Sequence, residues 1–193
     1  MFVTPVYHST APSPYGTIML FSDGESLTAL QMPNSRWPIK ALSSWIARDD
    51  LPVFDTARRE LAAYFAGDLR RFTTPLAPQG TMFQHQVWRA LRDVPYGATA
   101  SYSDLAHTIR QPRAVRAVAM ANARNPLPII IPCHRIIGKN GALTGYSGGG
   151  VTRKAALLEL ENSITQPKKH LREKPVDKFI GHSRSGESLL GLG

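Results

Sequence analysis

The chain has 193 residues, 42% of them hydrophobic, with a formal net charge of +9 and a single cysteine. That length allows one large domain or two small ones around a real core, and one cysteine excludes an internal disulfide framework and any multi-cysteine metal site. No apolar run approaches the roughly 20 residues needed to cross a bilayer, and Met1-Phe2-Val3-Thr4-Pro5 lacks the basic and apolar segments of a secretory signal. A soluble, cytoplasmic protein is expected, with no membrane partner.

The charge is unevenly placed. Residues 1–79 carry seven Lys/Arg and seven Asp/Glu, residues 80–161 carry ten against four, and residues 162–193 carry six against three. A positive excess confined to one half and its tail favours an anionic partner, nucleic acid first.

Residues 1–32 read as a small antiparallel sheet. Apolar stretches at Phe2-Val3, Thr17–Phe21 and Leu27–Leu30 are divided by the turn-forming runs Pro12–Gly16 and Ser22–Glu25. From Phe54 to Ala66 the pattern is helical, with Phe54, Ala57, Leu61 and Phe65 on one face and Gly67 as the stop. Nothing in this half looks reactive, so it reads as a scaffold. Residues 68–80, with Pro75, Pro78 and Gly80, read as a linker.

Beyond it, Phe83, Val87, Trp88 and Leu91 share a face of an amphipathic helix that ends before Pro95-Tyr96-Gly97. Ser101 is a good N-cap for a second helix, with Asp104 as a substitute for the capping-box Glu. Pro112 suits the first turn of a third helix, which runs through Ala114–Ala121. Two short helices around a tight turn, the second rich in small residues and bearing Arg113 and Arg116, make a helix-turn-helix candidate.

Asn125-Pro126-Leu127-Pro128 forces an extended turn. Ile129-Ile130-Ile131 then reads as a short buried strand that ends on Pro132-Cys133-His134-Arg135. Gly138-Lys139-Asn140-Gly141 reads as a hairpin turn, and Thr144–Gly150 as a glycine-rich loop whose amides face a ligand. No phosphate-loop pattern occurs. The last helix, Thr152–Glu161, places Ala155, Leu158 and Glu161 on related faces. From Asn162 the chain turns polar and basic and is expected to be disordered.

A lone cysteine is most often a small buried hydrophobe, but an adjacent imidazole is the usual activator of a thiol nucleophile. Pro132-Cys133-His134-Arg135, with Asn125-Pro126 upstream and Gly145-Tyr146-Ser147-Gly148-Gly149 downstream, resembles the O6-alkylguanine-DNA alkyltransferases. Phe83-Gln84 with Val87-Trp88, Pro95-Tyr96-Gly97, Ser101-Tyr102, Arg116-Ala117-Val118 and Leu157–Glu161 match in the family's order. The likeness covers 80–162 closely and 1–79 loosely, and the tail 163–193 lies outside it.

The resemblance implies an α+β protein: an N-terminal ribonuclease-H-like domain and linker over 1–79, then a mostly helical, winged-helix-like DNA-binding and alkyl-acceptor domain over 80–162. It implies irreversible transfer of an alkyl group from O6-alkylguanine in duplex DNA, with O4-alkylthymine as a second candidate, to Cys133 in one turnover. The base is flipped out of the stack. His134 would deprotonate Cys133 through a water, Glu161 would orient His134, and Asn125 would brace the turn. Tyr102 would crowd the target phosphate and donate to the purine, and Arg116 would fill the space left by the base. Arg113, Ala114, Val115 and Ala119 would lie on the DNA-binding helix; at Ala119 the family often has glycine. Tyr146, Ser147, Pro128, Gly148 and Ile136 would line the pocket, and Arg135 would tie the turn to the core. No cofactor or metal is implied, and a monomer is expected, with cooperative binding on DNA left open. The rival readings are a non-catalytic alkylated-DNA sensor and a Cys-His hydrolase.

The chemistry sets one further expectation. At pH 7 a thiol with a pKa near 8.5 is only about 3% ionised, and lowering it to about 6 gives about 90%, a gain of roughly 2 kcal/mol. The rest of the rate must come from in-line positioning and from donors that neutralise the departing purine. A thioether has no good leaving group, so the acceptor is used once.

Overall fold

The structure, a computed structural model, describes residues 6–40, 42 and 44–165. The strand expected at Phe2-Val3 and the tail beyond Thr165 lie outside those residues.

Strand β1 (Tyr7–Ala11) pairs antiparallel with β2 (Ile18–Ser22), which pairs antiparallel with β3 (Leu27–Gln31). A two-residue strand β4 (Ile46–Ala47) adds parallel to β1, giving the order β3-β2-β1-β4. The sequence pattern missed β1 and β4. Tyr7-His8-Ser9-Thr10-Ala11 has no apolar run, and its strand state comes from pairing with Ile18–Ser22 and from burying Ser9 and Ala11.

Helix α1 (Pro52–Ala66) lies on this sheet. Proline sits in its first turn, where the missing N–H costs nothing. Gly67 closes it at φ 87°, a backbone conformation that favours glycine, with its N–H on the carbonyls of the last turn. The buried face is Val53, Phe54, Ala57, Leu61 and Tyr64. Phe65, expected inside, is only half buried, and Tyr64 takes the inner place.

Residues 68–80 are irregular and lie along the free edge of β3. Leu27 N–H donates to Pro75 O and Ala77 N–H donates to Leu27 O, both at 2.8 Å. Further along the same edge, Leu30 N–H donates to Pro126 O at 2.8 Å. An edge strand that could recruit another chain is thereby covered. Apolar residues of both halves, from Leu27 and Leu61 to Ile129 and Leu157, merge into one core cluster.

Helix α2 (Met82–Arg92) opens with a full capping box, Thr81 and Gln84 each bonding the other's backbone. Its Trp88 indole N–H donates to Ala121 O at 3.0 Å, fastening it to α4 (Val115–Ala123). Between them α3 (Tyr102–Thr108) carries the expected capping box of Ser101 and Asp104. The start expected at Pro112 is corrected: Pro112 and Arg113 form a turn, and α4 begins at Val115. Arg110 is left-handed at φ 58°, and Ala114 N–H closes a turn on Gln111 O. Helical geometry can start only after that turn.

The isoleucine segment also departs from expectation. Residues 129 and 130 are a turn, not a strand, and the chain doubles back so that Pro128 bridges to Ile131. Ile129 has φ 77°, a conformation a β-branched residue adopts only when its surroundings impose it. A single 3-10 turn follows at Cys133–Arg135. The next residues form β6 (Ile136–Ile137), parallel to β5 (Ala100–Ser101). The Gly138–Gly141 turn forms, with Gly141 at φ 80°, but no return strand follows it among the described residues, so it is not a hairpin.

Helix α5 (Gly150–Thr165) is longer than expected at both ends, so the first three residues of the presumed tail are helical. Its inward positions are Lys154, Leu157 and Glu161 rather than Ala155 and Leu158. Two charged residues hold inner positions because they have partners there.

Candidate active site

Asn125 fixes the backbone ahead of the cysteine. Its Nδ2 donates to Ile131 O at 2.7 Å while its Oδ1 accepts from Leu127 N–H at 3.0 Å. One buried side chain thus spans the isoleucine turn, which the Ile131 N–H to Leu127 O bond at 2.8 Å also closes around Ile129. The 3-10 turn then stacks Cys133, His134 and Arg135 as three consecutive buried side chains.

His134 is fully buried. Its Nε2 lies 2.8 Å from Glu161 Oε1. Glu161 also accepts from both Nε and Nη2 of Arg135, from Gly97 N–H at 3.0 Å and from the Tyr64 phenol at 2.9 Å. Burial opposes the Glu161 charge, but the hydrogen bonds from His134 and Arg135 outweigh it and hold the carboxyl at about 2. The carboxylate is therefore ionised and can only accept a hydrogen bond from the imidazole, which makes Nε2 the N–H donor. Burial, more than anything the carboxylate restores, pushes the His134 pKa down, so the ring is neutral at pH 7. Its Nδ1 is then a bare acceptor, and it is a buried atom without a hydrogen-bond partner among the described residues. This is a base held ready.

The thiol itself does not match the expectation of an acidic cysteine. Burial pushes Cys133 up to about 11, against the smaller opposing influences of Asn125 and of the Lys154 charge. At pH 7 such a thiol is ionised about once in ten thousand, a cost of roughly 5 kcal/mol. The resting site is thus thiol and neutral imidazole, and the thiolate has to be made when the proton moves to His134. Glu161 is placed to stabilise the imidazolium that results.

Two residues at this site lie outside the set expected from sequence. Tyr64 comes from α1, in the half read as an inert scaffold, and its hydroxyl lies 3.4 Å from His134 Nε2 as well as bonding Glu161. Lys154, on α5, is wholly buried, with Nζ donating to Ile136 O and to Thr144 O at 2.9 Å. It joins the end of the active-site turn to the loop that follows, and burial lowers its pKa.

That loop lines two separate hollows, one with Pro128, Ser147 and Gly148 and one with Tyr146 and Ser147, and Cys133 borders neither. Tyr146 is buried with its ring edge-on to His134 at a centroid distance of 6.5 Å. Gly148 sits so close beneath the Tyr146 ring that a Cβ there would fall 2.8 Å from it. Arg153 donates to Gly148 O and to Pro33 O, and Arg36 N–H donates to Ser147 O at 2.9 Å, so the N-terminal half holds the loop in place. Pro128, Ser147 and Gly148 line a hollow of about 380 Å³. Ile136 lines none of the hollows described: its side chain is in the core and its carbonyl holds Lys154.

On the helix-turn-helix, Tyr102 begins α3 half-buried, and its hydroxyl accepts from Thr144 Oγ1 at 3.2 Å, linking that helix to the pocket loop. Arg113 and Arg116 are exposed and make no hydrogen bond or ion pair among the described residues. Ala114, Val115 and Ala119 are half-buried around them, and Met120 is 52% exposed. The outer face of α4 is a flat strip of small and apolar side chains flanked by arginine.

The ribonuclease-like domain of 6-O-methylguanine DNA methyltransferase matches residues 6–78, and the DNA-binding domain of the same family matches residues 82–163. The chain belongs to the 6-O-methylguanine DNA methyltransferase family. It is 46% identical over 158 residues to the methylated-DNA–protein-cysteine methyltransferase of Methanosarcina acetivorans, covering 82% of this chain and 99% of that one. It is 44% identical over 160 residues to the enzyme of that name from Haemophilus influenzae, covering 82% and 88%. Among solved structures, Mycobacterium tuberculosis OGT in complex with DNA superposes with a TM-score of 0.74 at 45% identity, covering 82% of this chain and 94% of that one. The α+β architecture of that family is the architecture found here. Among the described residues no group of three His, Cys, Asp or Glu could hold a metal ion, and no helix is long and apolar enough to cross a membrane.

Proposed function

We propose that this chain repairs DNA by taking the alkyl group of O6-alkylguanine onto Cys133. The observation that carries the reading is the buried thiol beside a neutral histidine whose Nδ1 is bare and whose Nε2 is held by an ionised carboxylate. The proton passes from Sγ to Nδ1 of His134 through a water. The thiolate attacks the O6-bound carbon, the carbon–oxygen bond breaks, and its electron pair goes to the purine. Tyr102, at the mouth of the pocket loop, gives its proton to the departing purine anion and is reprotonated from solvent, to which His134 releases the proton taken from Sγ. The products are a thioether at Cys133 and an unmodified guanine, and nothing in the site cleaves the thioether. The protein is consumed.

The lesion reaches the thiol only outside the stack, so the base is flipped. The α4 strip of small residues suits a close approach to the minor groove, and Arg116 takes the vacated place. Asn125 and Arg135 hold the reacting turn; Tyr146, Ser147, Pro128 and Gly148 surround the base. The protein acts as a monomer where the DNA is.

Intact-mass analysis after incubation with duplex DNA bearing one O6-methylguanine tests this. One methyl group gained per chain, located on Cys133, is the expected result. Tight binding without mass gain would make the chain a lesion sensor, and continuing turnover of an ester would make it a hydrolase.

A further inference from the structure

A second concave site lies behind the isoleucine turn. A hollow of about 210 Å³ is bordered by Arg70 and Arg71 from the linker, Arg89 and Arg92 from α2, and Ile129, Ile130 and Pro132 from the turn. Arg135 closes it, but that guanidinium is already engaged with Glu161 and with Val94 O at 2.7 Å. The other four arginines are exposed and make no hydrogen bond or ion pair among the described residues. Arg70 is steadied by lying over the Tyr96 ring at 6.0 Å, and Asp93 is the one acidic residue on the rim. An adjoining hollow shares Arg89 and Arg92 and extends the groove past His85 and Pro78.

Four guanidinium groups brought together from two segments without carboxylate partners repel one another, and an anion between them relieves that repulsion. The guanidinium fork fits phosphate oxygens in pairs. Arg89 and Arg92 stand one helical turn apart, about 5–6 Å at Cβ, and the groove runs on beyond them, which suits a chain of phosphates better than one small ion. The lining shares no residue with the hollow at Pro128, Ser147 and Gly148.

We propose that this groove binds the sugar-phosphate backbone of DNA outside the stretch gripped by α3 and α4. The inference rests on the chain's being a DNA-binding protein and adds a second point of hold. On a duplex several turns long, or where two segments lie close, the groove lets the protein keep one phosphate contact while the helix-turn-helix releases and searches.

The test is the triple variant Arg70→Ala/Arg89→Ala/Arg92→Ala, with affinity for undamaged duplex measured against salt concentration. On a duplex of about four helical turns, the slope of log affinity against log salt is expected to fall by about three, roughly 0.9 for each arginine removed. On a duplex of about one turn the slope and affinity are expected to stay at the wild-type value. Arg116→Ala is expected to weaken binding at both lengths, and its failure to do so would count against the helix-turn-helix reading instead. Thermal melting and transfer from free O6-benzylguanine base confirm that the triple variant is folded. An unchanged slope on the long duplex overturns the proposal, as does an equal loss on the short one.

Discussion

Tyr64 and Glu161 stand 97 positions apart and meet through a 2.9 Å hydrogen bond, phenol to carboxylate, that joins the sheet half of the chain to its reacting turn. The contact is buried on both sides. Burial first, and then the carboxylate charge, push the Tyr64 pKa up, so the phenol stays a donor at every working pH. The helix that carries Tyr64 is therefore part of the site.

Tyr64→Phe removes one donor from a buried carboxylate without changing the ring. A hydrogen bond to a charged group contributes about 1.5–3 kcal/mol, so a loss of roughly 2 kcal/mol in unfolding free energy is expected from urea denaturation. Alkyl transfer should slow as well, because Glu161 Oε1 is also the atom that orients His134. Full stability together with a wild-type rate would show that the bond does nothing.

The pH dependence of stability has a defined sign at both ends. His134 is held below its ordinary value of 6.5 and Glu161 below 4.5, at about 2. In each case the unfolded chain binds the proton more readily, so stability falls as the pH drops below 6.5 and falls further from 4.5 towards 2. Cys133 is raised from 9.0 to about 11; there the folded chain keeps its proton longer, and stability falls as the pH rises from 9 to 11. Unfolding followed from pH 3 to pH 11 should therefore peak between about 6.5 and 9. Replacing Cys133 with Ala should leave the acid limb unchanged and remove the fall between pH 9 and 10, while the fall above 10, where burial keeps Tyr64 and Tyr146 protonated, persists.

How much of this was legible in the sequence differs from element to element. The capping box at Ser101 and Asp104, the Gly67 stop and the helix over 83–92 are local, and local rules found them. β1 escaped because a polar strand is made by its partners. The isoleucine turn escaped because an apolar run has no period that separates a strand from a buried turn, and Asn125, whose side chain spans the turn, lies outside the run. On α5 the expected face of Ala155, Leu158 and Glu161 held at Glu161 alone, since the other inner positions belong to Lys154 and Leu157. A buried charge is legible only with its partners, and those are Ile136 O and Thr144 O for the lysine and His134 and Arg135 for the glutamate. The motif around Cys133 marked the acceptor, but the direction of its pKa depends on burial that the motif does not record.

That burial gives a direct expectation for thiol chemistry. With the pKa raised by two from its ordinary 9.0 to about 11, the thiolate fraction at pH 8 is about 100-fold below that of an unfolded chain. Iodoacetamide should label the native protein correspondingly slowly and the urea-unfolded protein at the ordinary rate. Lys154→Met should slow native labelling further, because the lysine charge is one of the influences that lowers the thiol pKa. The same variant should loosen the pocket loop, which loses its tie at Thr144 O. Faster labelling in Lys154→Met than in the native chain would mean that opening of the site outweighs the lost charge.

Arg116 separates capture of the lesion from the chemistry performed on it. The side chain is exposed on α4, makes no contact with the network around Cys133, and is free of partners among the described residues. Its removal should leave fold, thiol pKa and transfer from a free alkylated base unchanged. In duplex DNA the flipped base leaves a gap, and without a side chain to occupy it the base returns to the stack; unstacking costs a few kcal/mol. If Arg116 offsets about 1.4–2.8 kcal/mol of that cost, Arg116→Ala slows transfer from duplex O6-methylguanine by roughly 10- to 100-fold. A lesion in single-stranded DNA is already unstacked, so its repair should slow far less than repair of duplex. Single-turnover rates on the three substrates decide the matter: an equal loss on all three would place Arg116 in the chemistry, and no loss on duplex would remove it from base flipping.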